Sequence, residues 1–287
     1  MRRKVTHMRT NLKDAVRRLV HLAGRGNGPG SAGATGTDAG SMSAARIHEI
    51  KDIVSQRYGD FAASGGVAEA CCAAVAEESE TGFAVEHGLY SAEEMALVPE
   101  GAANLSRGCG NPVGFARLEP GETVVDFGCG GGIDVILAAH KVGPTGKVVG
   151  ADSAPAMIER ARDNTTTAGV GDRVEFRSGD LADTALPTGF ADAVISNCVI
   201  NLCPDKEQVY REAFRLLRPG GRMAISDICL TEELPTELTA SFVSMWSGCL
   251  GGAIPTSTYF EIVEGAGFTD VSVVTGCASL MWPRLER

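Results

Sequence analysis

Apolar and polar residues follow two periods along this chain, and from about residue 120 the two alternate. Thr123 to Phe127 is a short apolar run ending in a glycine cluster, and Ile133 to His140 continues at helical spacing. The pattern predicts strand, glycine turn and helix. Lys147 to Ala151, Arg173 to Arg177, Ala191 to Ser196 and Arg222 to Asp227 repeat the strand pattern. Pro155 to Thr167, with Pro in its first turn, and Asp205 to Leu217 repeat the helical one. Strands alternating with helices imply a parallel sheet covered on both faces, a doubly wound, Rossmann-like α/β domain. Pro235 to Trp246 and Thr256 to Glu264 read as further helices and Val271 to Val274 as a late strand, forming a small C-terminal α+β cap.

Upstream the pattern is looser. Val5, Met8, Leu12, Val16 and Leu19 recur at helical spacing among Arg and Lys, giving an amphipathic basic helix to about His21. Gly24 to Ser41 is rich in Gly, Ala, Ser and Thr and reads as linker. The basic helix is either a targeting segment or text upstream of a functional start at Met42. Ile47, Ile50, Ile53, Val54 and Tyr58 describe a helix leading to Gly59, and Ser91 caps a short helix to Leu97. The expected divisions are residues 1–42 (basic helix and linker), 43–104 (a flexible extension carrying Cys71 and Cys72), 105–230 (the α/β domain) and 231–287 (the cap).

Composition narrows the function classes. The 287 residues are 44% hydrophobic and 22% charged, a globular profile, and no apolar run approaches the roughly 18 residues that cross a bilayer. Net charge is -10, with eight basic residues against the single Asp14 before residue 26. The remaining body is therefore strongly acidic and would repel a phosphate backbone, so neither nucleic acid nor membrane is expected as a partner. Nine cysteines without a secretory leader suit a reducing cytoplasm, where thiols are open to chemistry.

The glycine turn reads Asp126-Phe127-Gly128-Cys129-Gly130-Gly131-Gly132. A dinucleotide fingerprint needs glycine at 128, 130 and 133, but residue 133 is Ile. The spacing instead resembles the first motif of class I S-adenosylmethionine methyltransferases. Asp152 closes the second strand, where a carboxylate can accept both ribose hydroxyls; Asp180 and Leu181 follow the third strand, suited to adenine, and Asn197 ends the fourth at the crevice rim. Asp126, Gly128, Gly130, Asp152, Asp180, Leu181 and Asn197 are thus the expected cofactor residues.

Cys72, Cys109, Cys198 and Cys249 fall in loops or at strand ends that can meet over this crevice. No C-x-x-C occurs and no His lies near Cys198 or Cys249, so a zinc site of paired spacing is not expected. Gly108-Cys109-Gly110-Asn111-Pro112, Ser196-Asn197-Cys198-Val199-Ile200-Asn201-Leu202 with Pro204-Asp205-Lys206, and Trp246 with Cys249 and Gly251-Gly252-Ala253 resemble arsenite methyltransferases, from about Val54 to Val274.

The resemblance implies methyl transfer from S-adenosyl-L-methionine to trivalent arsenic, as arsenite or a glutathione conjugate, held by Cys109, Cys198 and Cys249. It also implies that Cys72, or its neighbour Cys71, relays substrate or redox equivalents, and that thioredoxin or glutathione resets the thiols of a monomeric cytoplasmic enzyme. Cys129, Cys203, Cys229 and Cys277 read as core residues. Two positions depart from many relatives: Cys129 inside the turn, which would make cofactor binding sensitive to oxidation, and Gly108, which would loosen the Cys109 loop. The rival readings are a methyltransferase for a small quinone-like or sterol-like acceptor and a non-catalytic thiol or arsenic sensor.

Overall fold

The computed structural model describes residues 18–26, 42–66, 89–230 and 251–277. Its centre is a seven-stranded sheet of order β4-β3-β2-β5-β6-β1-β7. The strands are β1 (Arg18–Gly26), β2 (Thr123–Phe127), β3 (Lys147–Asp152), β4 (Val174–Ser178), β5 (Ala191–Asn197), β6 (Leu217–Cys229) and β7 (Phe268–Cys277). β2 to β6 are mutually parallel, and β1 runs antiparallel to both β6 and β7. The parallel, doubly wound centre matches expectation.

Eight α-helices, α1 (Ala44–Ala63), α2 (Ala92–Met95), α3 (Glu100–Asn104), α4 (Pro112–Phe115), α5 (Ile133–Val142), α6 (Pro155–Thr167), α7 (Lys206–Leu216) and α8 (Thr256–Gly265), and two 3-10 turns, Gly171–Arg173 and Ile200–Leu202, complete the described elements. The sheet buries both faces because its strands are apolar at consecutive positions. Val124, Val148, Ala193, Ile195 and Ala224 pack with α5 residues Val135, Ile136 and Ala139. Val125, Phe127, Val149, Val194 and Ile225 turn the other way, onto Tyr210 and Leu216 of α7 and Tyr259 of α8. Period-2 alternation thus feeds two cores from one strand.

Three expectations are corrected. The basic helix to His21 and the linker from Gly24 overlap β1, whose backbone pairs from Arg18 opposite Cys229 to Arg25 opposite Arg222. Local helical spacing is overridden there because β6 and β7 supply backbone partners on both sides of the segment. α1 continues past Gly59 to Ala63, because Phe61 and Ala62 bury against Leu105, Ala154 and Met157. The late strands are longer than read, β7 spanning Phe268–Cys277 and β6 reaching back through a register irregularity over the Arg218-Pro219-Gly220-Gly221 segment. Segments read as lying outside the α/β domain therefore contribute β1 and β7 to its sheet. The helix expected from Pro235 to Trp246 lies outside the described residues, as do Cys71, Cys72 and Cys249.

Among the described residues no helix is long and apolar enough to cross a membrane.

Candidate active site

β2 and β5 are neighbours at the centre of the sheet, and the strand order reverses direction there. Ligands of open α/β sheets bind outside the carboxyl ends of strands at such a reversal. A cavity of about 370 Å³ opens at this point, lined by Gly128, Cys129 and Gly130 from the turn after β2, Asp152 after β3, Asp180 and Leu181 after β4, and Asn197 and Cys198 after β5. α1 supplies the facing wall through His48, Lys51, Ser55 and Tyr58.

The turn requires glycine at Gly128. Its φ is +76°, a region that side chains rarely adopt, and a Cβ there would collide with Val199. Gly128 and Cys129 donate their N–H groups to the Ala151 carbonyl at 2.7 and 3.1 Å, which locks the turn to β3. Asp152 bridges the crevice floor: Oδ2 accepts from the Gly130 N–H and Oδ1 from the Ala154 N–H, each at 2.9 Å. Burial raises its pKa, opposed by those amides.

Asp126 is 1% exposed beneath the turn, does not line the cavity, and leaves Oδ2 without a hydrogen-bond partner among the described residues. Burial, then the Asp134 and Asp152 carboxylates, push its pKa well above the usual range. Asp134, in the first turn of α5, is also buried and is pushed up to about 6 by desolvation. Asp134 and Asp152 line the cavity, and a cation bound there would favour their charged forms. Asp180 accepts from the Ala182 N–H at 3.0 Å and forms an ion pair with Lys51 of α1, while Leu181 is buried in the core below.

Asn197 lines the cavity, and its amide also reaches inward. Its amide is buried: Oδ1 accepts from the N–H groups of Cys109 (3.0 Å) and Gly110 (3.1 Å), and Nδ2 faces the Gly110 carbonyl (2.7 Å), Asp134 Oδ2 (2.9 Å) and Tyr90 Oη (3.0 Å). It fastens the Cys109 loop to the end of β5. The Gly108 loop is correspondingly tight rather than loose, since a Cβ on Gly108 would collide with the Asn197 amide. Tyr90, which donates to Asp134 Oδ1 at 3.0 Å, was missed by sequence reasoning: a single aromatic 107 residues from Asn197 carries no local signal.

Cys198 leaves β5 with φ +59°, its N–H donating to the Ser226 carbonyl at 2.7 Å. This left-handed turn brings it to Cys109. The two form a disulfide with Cα atoms 5.7 Å apart, packed against Ile228, Leu230 and Ala253. As a disulfide the pair offers no thiolate, so a ligand role for Cys109 and Cys198 requires the reduced form. Cys249 lies outside the described residues, which resume at Gly251: Gly252 packs so closely on the Asn201 carbonyl that a Cβ would collide with it, and Ala253 touches the cysteine pair.

Burial disfavours the thiolate at Cys129, Cys203 and Cys229. Burial raises the thiols of Cys129 and Cys229 and pushes Cys203 up to about 12, and a thiol kept protonated resists oxidation. Burial thus works against an oxidation-sensitive turn at Cys129. Cys277 lies on β7. Among the described residues no His, Cys, Asp and Glu cluster could hold a metal ion.

Comparison with known proteins agrees with this geometry. Residues 118–267 match the methyltransferase-domain family. The chain is similar to an arsenite methyltransferase of Halobacterium salinarum, with 39% identity over 78% of this chain and 59% of the relative, and to one of Aquipseudomonas alcaligenes, with 39% identity over 58% and 49%. The crystal structure of an arsenic(III) S-adenosylmethionine methyltransferase from Chlamydomonas reinhardtii matches with 35% identity and a TM-score of 0.56, over 65% of this chain and 62% of that one. The chain thus spans about half to three-fifths of the curated relatives it matches. Parallel sheet, glycine turn and carboxylate-lined crevice, together with the family match, establish that the chain belongs to the methyltransferase-domain family and has the class I fold.

Proposed function

We propose that this protein transfers the methyl group of S-adenosylmethionine to trivalent arsenic held by cysteine thiolates. The observation that carries the reading is the meeting of Cys109 and Cys198 at the end of β5, with Cys198 in the wall of the glycine-turn cavity. Random core placement does not put two cysteines 89 residues apart beside a cofactor crevice.

The residues fit S-adenosylmethionine. Gly130 leaves open space where a side chain would stand, Asp152 offers a carboxylate at the ribose position, and Asp180 with Leu181 offers polar and apolar contacts for adenine. Asp134, which lines the cavity, favours its positive charge in the ionised form. When bound, this cosubstrate supplies an electrophilic methyl carbon on a sulfonium.

The chain's task is to hold the acceptor. Arsenic(III) is soft and thiophilic, so the reduced thiols of Cys109 and Cys198, joined by Cys249, exchange its oxygen or glutathione ligands and leave its lone pair free. Holding that lone pair in line with the methyl carbon lowers the barrier through proximity and orientation, without a general base. Carbon–arsenic bond formation takes the arsenic lone pair, and the carbon–sulfur pair stays on the departing sulfur. Arsenic is formally oxidised to the pentavalent state. Two thiolates then return two electrons to it and become a disulfide, the state of Cys109 and Cys198 in this structure. A thiol reductant of the thioredoxin or glutathione class, with Cys72 or Cys71 as relay, resets the pair.

Monomeric action in the cytoplasm belongs to the same reading. A quinone-like or sterol-like acceptor is not favoured, since Tyr58 is the single Phe, Tyr or Trp among the described cavity-lining residues. Chromatography with elemental detection tests the proposal: protein incubated with S-adenosylmethionine, arsenite and thiol should yield methylated arsenic, and Cys198→Ser should not. Methylated arsenic formed equally by Cys198→Ser would overturn it.

A further inference from the structure

The cluster of Tyr90, Asp134 and Asn197 reaches from the cofactor cavity to the thiol pair, and the proposed chemistry draws on Asp134 only for its charge and on Tyr90 not at all. All three are at least nine-tenths buried, at 4%, 4% and 9% exposure. Asn197 is the tie between β5 and the Cys109 loop, and it works in one orientation only. With Oδ1 toward the Cys109 and Gly110 N–H groups, Nδ2 must face the Gly110 carbonyl and Asp134. A flipped amide would set two donors against two donors and an oxygen against a carboxylate.

Asp134 reinforces the orientation that the Cys109 and Gly110 backbone sets, and Tyr90 holds Asp134 by donating to its other oxygen. The path is short and contiguous: Tyr90 to Asp134, Asp134 to Asn197, Asn197 to the backbone of Cys109. We propose that Tyr90 and Asp134 are positioning residues that act through the Asn197 amide to hold Cys109 at bonding distance from Cys198. This inference rests on reading the two cysteines as a working thiol pair. It does not depend on what that pair binds.

The consequence is an equilibrium one. Disulfide formation from the dithiol by oxidised glutathione makes one protein S–S bond and breaks one glutathione S–S bond; the two thiol protons end on two glutathione thiols. Its equilibrium constant rises with the effective concentration of one protein thiol at the other, which a fastened loop raises and a loose loop lowers. Loosening the Asn197 tie should make the bond easier to reduce.

The test is equilibration of the full chain in glutathione redox buffers, with alkylation and peptide mapping to read the oxidised fraction of Cys109 and Cys198. Asp134→Asn and Tyr90→Phe should each lower the equilibrium constant about tenfold, a shift of about 30 mV toward the more oxidising side. Tyr90→Phe keeps the ring and guards against a failure of Asp134→Asn to fold. Thr184→Val is the control, because it removes a buried 2.6 Å bond to Glu212 away from the cysteine pair and should stay within twofold of wild type. The proposal falls if both test variants also stay within twofold, if the control shifts as far, or if wild-type Cys109 and Cys198 form no bond at any ratio. No arsenic or cofactor is present, so failure of the arsenic reading leaves this result standing.

Discussion

Lys51 of α1 is ion-paired with Asp180 at the end of β4, 129 residues away, so the N-terminal helix is tied across the mouth of the central cavity. Ser55 adds a second tie, donating to the Ser153 carbonyl at 3.0 Å. The helix is anchored at its far end by Arg107, whose guanidinium lies 4.0 Å from the Phe61 ring and donates to the Gly66 carbonyl. α1 is thus a wall whose strongest anchor is remote from the adenine end. Both partners of the Lys51 pair are more than a third exposed, so it adds little to global stability.

Lys51→Ala should therefore separate gating from folding. Cofactor-product release, followed by stopped-flow with S-adenosylhomocysteine, should speed up about threefold, roughly the effect of losing one exposed ion pair. The melting temperature should change by no more than about two degrees. A slower release in Lys51→Ala would mean that Lys51 competes with the ligand for Asp180 rather than holding the wall closed.

Asp152 carries more. Its two oxygens each take a backbone N–H in this structure, and the proposed ribose contact adds charge-assisted bonds of about 1.5–3 kcal/mol. Asp152→Ala should weaken S-adenosylhomocysteine binding by about 10- to 100-fold in titration calorimetry. Unchanged affinity would remove Asp152 from the cofactor site.

Much of this site was legible because its signals are local. The glycine turn, the Pro at the start of α6 and the apolar run of β2 sit within a few residues of what they specify, and α6 and β2 have the boundaries read from the sequence. Asp152 was found for the same reason, at a strand end a fixed distance from the turn. Asn197 was placed in the right crevice, but its protein partners were not legible, since Gly110, Asp134 and Tyr90 reach it from 87, 63 and 107 residues away. β1 was misread because its ladder partners, β6 and β7, lie about two hundred residues downstream and leave no trace in local periodicity.

Asp227 offers a pH test. It is 1% exposed, accepts from the Asn201 N–H (3.1 Å), the Ile228 N–H (3.0 Å) and Tyr259 Oη (3.0 Å), and is pushed up to about 6, first by burial. Lys206 opposes that rise; the neighbouring thiols Cys203 and Cys229 are themselves held protonated. A raised carboxyl binds its proton more tightly in the folded state, so its contribution to stability grows as pH falls through about 6 and fades as pH rises through it. Glu122 and Glu212 are shifted downward and work in the opposite sense, so the difference between wild type and variant is the useful quantity. In urea unfolding, Asp227→Asn should cost about 1 kcal/mol more near pH 5 than near pH 7. A cost independent of pH would place the Asp227 carboxyl near its ordinary value.

Gly252 gives the sharpest handle on the third thiol. Its backbone rests on the Asn201 carbonyl, beside the Lys206 ammonium, which itself donates to the carbonyls of Asn201 (3.3 Å) and Cys203 (3.2 Å). The segment is stitched down just beyond, where Leu230 donates to the Ile254 carbonyl at 2.9 Å and Thr256 to the Leu230 carbonyl at 3.0 Å. A methyl group at 252 has no room, so the chain ahead of those stitches must lift, and Cys249 is three residues upstream. Overpacking of this kind costs about 1–3 kcal/mol, enough to lower the melting temperature without unfolding the domain. Gly252→Ala should leave the Cys109–Cys198 pair able to capture a trivalent arsenical while Cys249 no longer joins it. Alkylation after arsenical binding should then find Cys249 protected in the wild type and modified in the variant, with Cys109 and Cys198 protected in both. Protection of all three in Gly252→Ala would show that the Cys249 segment reaches the pair without the Asn201 contact.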